Sequence, residues 1–65
     1  MSPETELLLR LVREGTYVDR NKLALALSRW RGPLYNNTNA WRKVVRQAEK
    51  DGLLGRDDWF KYIVV

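Results

Sequence analysis

The segment TNAWRKVVRQAEKDGLL, from Thr38 to Leu54, constrains the fold of this chain more than any other stretch. Trp41, Val44, Val45 and Ala48 recur at i, i+3, i+4 and i+7, the spacing that gathers side chains on one face of an α-helix. At ~100° per residue, Asn39, Arg42, Lys43, Arg46 and Lys50 fall on the opposite side, with Gln47 at its edge. Asn36, Asn37 and Thr38 are each competent N-caps, so the helix begins at one of them. It ends at Asp51-Gly52, which supplies a turn and a left-handed stop. Such a helix needs a core on one side only. Its other side is a row of cations and amides long enough to reach phosphates and base edges.

The core available to it is small. Sixty-five residues allow a single domain, 1–65, and a domain of that size buries only ~60% of the surface its unfolded chain exposes. The chain has no cysteine and no histidine. That inventory excludes disulfides, thiolate or imidazole metal sites, and Ser-His or Cys-His nucleophile pairs. Asp57-Asp58 reads as a turn rather than an acid–base pair, and no Gly-rich phosphate loop is present. The expectation is a non-enzymatic protein with no metal and no cofactor. No apolar run approaches the ~18 residues of a membrane span, and MSPETE lacks the plan of a signal peptide. A soluble protein, cytoplasmic or nucleoid-associated and without a membrane partner, is expected.

The distribution of charge says more than the net +4. From Arg20 through Ala48 there are seven basic residues and no acidic one. Glu4, Glu6, Glu14 and Asp19 precede that span, and Glu49, Asp51, Asp57 and Asp58 follow it. A basic centre between acidic ends implies one electropositive face suited to a polyanion.

The remaining elements follow from local signals. Ser2-Pro3-Glu4 starts a helix: Ser2 accepts from free first-turn amides, and Pro3 loses nothing where an N–H has no partner. Leu8, Leu11 and Val12 form its inward stripe, widened by Leu7 or Leu9, and Gly15 ends it as a residue tolerant of left-handed geometry. Thr16-Tyr17-Val18 is a brief strand or plain linker. Asp19 caps a second helix running to about Arg29 or Arg31, with Leu23, Ala26, Leu27 and Trp30 inward, Ala24 available for close packing and Leu25 pointing elsewhere. Arg31-Gly32-Pro33 breaks it, and Leu34 and Tyr35 drop back onto the core. Trp30 and Trp41 both read as core. Beyond Gly52, Leu53-Leu54-Gly55-Arg56 and Trp59 to Val65 flank the Asp57-Asp58 turn as a β-hairpin. A two-residue period places Phe60, Tyr62 and Val64 on one face of the last strand and Trp59, Lys61, Ile63 and Val65 on the other.

Helix, short extended piece, helix, longer helix and hairpin: in this order, and in the phrase RKVVRQAEKDGLL running into a strand, the chain resembles the winged helix-turn-helix superfamily. The resemblance implies an α+β fold, a three-helix bundle with a C-terminal β-hairpin as the wing. It also implies that the third helix enters the major groove of double-stranded DNA. The connection from Arg31 to Asn37 is longer than that of a tight helix-turn-helix, and two carboxylates sit near the wing tip.

On this resemblance Arg42 and Asn39 are the leading base readers, because arginine pairs bidentately with guanine and asparagine with adenine. Lys43, Arg46 and Lys50 are expected on phosphate. Asn37, Thr38 and Asn36 present a helix N-terminus to a phosphate oxygen. Arg29 and Arg31, with Lys22 or Arg20, flank the groove, and Arg56, Trp59 or Lys61 are the wing's contacts. The expected function is a DNA-binding domain of a transcriptional regulator or mobile-element protein. Its partners would include a second copy, paired through the apolar last strand, or a C-terminal domain missing from a cut parent chain. A simpler fate for that strand face is burial under the first helix. The alternative function is a winged-helix protein–protein interaction module using Leu25 and the hairpin. An RNA or non-B-form duplex reader is a third.

Overall fold

A computed structural model describes residues 2–32 and 34–65 of the chain. Three helices are followed by a two-stranded antiparallel hairpin: α1 Pro3–Glu14, α2 Arg20–Ser28, α3 Thr38–Lys50, β1 Leu54–Arg56 and β2 Tyr62–Val64. This is the α+β layout expected from the sequence, similar to that of a winged helix. The proline of the expected break after α2, Pro33, lies outside the described residues.

Each helix starts where a side-chain oxygen can take up an orphan amide. Ser2 Oγ accepts from Thr5 N at 3.2 Å, Asp19 Oδ1 from Asn21 N at 2.7 Å, and Asn37 Oδ1 from Ala40 N at 3.1 Å. Of the three candidate caps for α3, Asn37 is the one used. The end of α3 is a complete Schellman motif. Leu53 N donates to Ala48 O at 2.9 Å and Gly52 N to Glu49 O at 3.2 Å, with Gly52 at φ +75°.

The core is built from one face of every element. Leu8, Leu9 and Val12 of α1 meet Leu23, Ala24 and Leu27 of α2, Trp41, Val45 and Ala48 of α3, and Leu54 and Tyr62 of the hairpin. Each fully buried large apolar side chain here contributes roughly 1.5–3 kcal/mol of transfer free energy. The hairpin register pairs Leu54 with Val64, Gly55 with Ile63 and Arg56 with Tyr62. The segment ahead of α2 is extended but forms no ladder; it gives β2 a single bond, Tyr62 N to Tyr17 O at 2.8 Å.

The structure corrects several expectations. Gly15 ends α1 in an extended conformation (φ −119°, ψ −176°), not a left-handed one. Glycine makes room there for the Tyr17 ring, which lies 2.6 Å from where a Cβ would stand and would have to shift to admit one. Trp30 is 39% exposed rather than core. The helix ends at Ser28, so the period that aligned Trp30 with Leu27 no longer applies, and its ring instead lies over Gly32 and edge-on to Trp41, centroids 6.3 Å apart. Leu34 packs against the core, whereas Tyr35 is exposed.

The last strand is shorter than expected. Asp57 Oδ1 accepts from both Trp59 N and Lys61 N, and Phe60 takes a positive φ of 61°, so Trp59 and Phe60 leave the strand and stand in solvent. Phe60 therefore does not share the inward face with Tyr62. Ile63 and Val65 are exposed, so the second face is not covered by α1.

Candidate nucleic-acid interface

The outward face of α3 and the first turn of α2 enclose one open cleft of about 480 Å³, lined by Arg20, Asn21, Asn39, Arg42, Lys43 and Arg46. Two local causes place these residues together. The inward pull of Trp41, Val45 and Ala48 turns the polar side of α3 outward. Asp19 caps α2 so that Arg20 and Asn21 project from its first turn, and α2 packs closely along α3. A shallower depression lined by Lys43, Arg46, Gln47 and Lys50 continues the row toward the end of α3.

Within the cleft the side chains are partly pre-ordered. Arg42 Nη1 donates to Asn21 Oδ1 at 3.2 Å, and Arg42 Nη2 donates to Asn39 Oδ1 one turn back. Lys43, Arg46 and Lys50 are exposed. Arg20 forms the inner wall, its Nη2 donating to Glu49 Oε2 at 3.0 Å.

Glu49 also accepts from the Tyr62 hydroxyl at 2.6 Å, so one carboxylate ties α2, α3 and the hairpin together. Burial pushes the Glu49 carboxyl up, but the Tyr62 hydroxyl and the Arg20 guanidinium outweigh it and hold the group below its ordinary range. Burial, and then the bond to Glu49, push the Tyr62 phenol above its usual value. The bond to Glu49 also raises Arg20. Glu49 is thus committed to a structural bond, as Asp19, beside Arg20 in sequence, is to capping α2.

The other candidate residues divide clearly. Asn37 spends its side-chain oxygen on capping α3, and Thr38 is half-buried in the first turn. Arg29 and Arg31 are exposed on the connection between α2 and α3 and do not line the cleft. Arg56 is drawn into the hairpin. Its Nη1 donates to Val18 O at 2.7 Å and Phe60 O at 2.6 Å, and its guanidinium carbon lies 4.0 Å above the Tyr62 ring. Asn21 is the residue that sequence reasoning missed. Its partner is 21 positions away, and no local spacing announces a contact made only when α2 packs on α3.

No cluster of His, Cys, Asp or Glu that could hold a metal ion occurs among the described residues. Likewise, no described helix is long and apolar enough to cross a membrane. No family model, curated protein or solved structure matches this chain.

Proposed function

We propose that the chain is a duplex-DNA-binding domain of the winged helix-turn-helix type, with α3 lying in the major groove, acting in a transcriptional regulator or a mobile-element protein. The observation that carries this reading is the acid-free row Asn39, Arg42, Lys43, Arg46 and Lys50 along one exposed face of α3, walled by Arg20 and Asn21. An α-helix fits the major groove, and a row of this length reaches both base edges and the flanking phosphates. Arg42 reads bases; Lys43, Arg46 and Lys50 hold phosphate; Arg29 and Arg31 lie further out along the backbone. Arg56 braces the wing and contributes little to contact. One copy makes few contacts, so tight binding calls for a second copy, paired through the exposed Ile63 of β2 and Val65 just beyond it.

The test is a salt titration of binding to a labelled random-sequence duplex, followed by anisotropy. Four to six phosphate contacts give a slope of log K against log salt of roughly −4 to −5. Absence of binding at low salt overturns the reading. In that event the exposed Leu25, Trp59 and Phe60 favour the second reading, a module that binds protein. Competition with an RNA duplex separates the RNA alternative.

A further inference from the structure

We infer that Asn21 is a positioning residue for Arg42, and that the cleft they share is a donor-rich surface whose base partner is guanine. The inference rests on the duplex-binding reading above and goes on to say what that site selects. Arg42 is held from two directions, by Asn21 Oδ1 across the cleft at 3.2 Å and by Asn39 Oδ1 on its own helix. Asn21 is itself anchored, since its backbone N–H donates to the capping Asp19 Oδ1 at 2.7 Å. A guanidinium carries five N–H donors and no acceptor. Two are bonded here, which leaves three for a ligand and restrains the side chain before it binds.

The consequence for recognition follows from what the asparagines have given up. Reading adenine takes an acceptor for its N6 amine beside a donor for N7, both from one amide group. Asn21 and Asn39 each have the side-chain oxygen engaged by Arg42, which turns the amide toward the guanidinium and disfavours presenting that pair to a base. Asn39 is thereby a partner of Arg42 rather than an adenine reader. The groups that Arg20, Arg42, Lys43 and Arg46 add to the cleft are donors only. Their complement is an edge with two acceptors, and among the bases that is the O6/N7 edge of guanine. Phosphate oxygens share this acceptor chemistry but carry no sequence preference, which the experiment uses.

The test is selection from randomised duplexes with the intact chain and with Arg42→Ala, Asn21→Ala and Asn21→Asp, each variant first checked for unchanged thermal unfolding. Asn21 is exposed and outside the core, so its substitution leaves the fold intact. The intact chain enriches guanine at one position, and Arg42→Ala abolishes that enrichment. Asn21→Ala lowers it by about three- to tenfold, a larger loss than it causes in affinity for random duplex. Asn21→Asp keeps an acceptor at the same place, so it retains the guanine preference while its added negative charge weakens binding to every sequence. The inference is overturned if Asn21→Ala keeps the full preference, if it weakens all sequences alike, or if the Arg42-dependent position selects adenine. A chain that binds no duplex at low salt overturns the duplex reading and this inference together. A chain that binds duplex without a guanine position overturns this inference alone.

Discussion

Gly52 shows how one residue ends the helix that carries the site. Its φ of +75° lies in the left-handed region, and nothing stands within 4 Å of a Cβ built there. The cost of a side chain at this position is therefore conformational rather than steric. Gly52→Ala is expected to lower the unfolding free energy by about 1 kcal/mol, read as a shift in denaturant midpoint at constant slope. Gly52→Asn recovers most of the loss, because asparagine tolerates the left-handed region. A cost of 3 kcal/mol or more, in the range of core truncations, would mean that something other than the Schellman geometry is at stake. Gly15 looks the same in sequence, a glycine after an apolar stripe, yet serves a different end. It is extended, and it is small to admit the Tyr17 ring. The first role is legible locally because a stop depends on its own backbone. The second depends on where the chain later turns.

Among the elements, α2, α3 and β2 are clamped by Glu49, which accepts from Arg20 and Tyr62. The charged groups facing this carboxylate come from α2 (Arg20) and from the hairpin (Arg56). Glu49 is held below its ordinary value, so its contribution is fully present above the unfolded carboxyl pKa near ~4.3 and is lost as pH falls through the lower folded value. Tyr62 is raised, so its contribution is fully present below ~10 and is lost as pH rises through the higher folded value. Thermal midpoints measured against pH should therefore show a plateau with an acid and an alkaline shoulder. Glu49→Gln removes the clamp's part of the acid shoulder. Tyr62→Phe removes the alkaline one and costs about 1–2 kcal/mol at neutral pH, the value of a bond to a charged acceptor discounted for partial exposure. If Glu49→Gln leaves both shoulders unchanged, the clamp is not a source of pH dependence. None of this was visible in the sequence, where Glu49 was one more acidic residue past a basic span. Helix starts were legible, because Ser2, Asp19 and Asn37 bond to amides two or three residues away. Trp30 and Phe60 were not, because a helix that stops early and an Asp57 that captures two amides break the periods on which their placement relied.

For the molecule as a whole, the proposed duplex binding would be partitioned between affinity and specificity by size and charge together. The long axis is 32 Å, so on the duplex-binding reading one copy covers no more than about one ~34 Å turn. Within that length the free cations are spread along the exposed face of α3, whereas Arg42 is tethered and Arg20 is paired with Glu49. Lys43 and Arg42 are adjacent in sequence and carry the same charge, yet they differ in freedom. A flexible lysine in solvent follows phosphate wherever it lies, while a held guanidinium meets only what is placed before it. Lys43→Ala is thus expected to weaken binding to every duplex alike and to reduce the salt slope by about 1. Arg42→Ala is expected to cost roughly 1–3 kcal/mol on the selected site and far less on random sequence. The check is a pair of salt titrations for each variant, one on the selected duplex and one on a scrambled duplex of equal length. Identical behaviour of the two variants would mean that the face of α3 meeting DNA is rotated from the one the cleft presents.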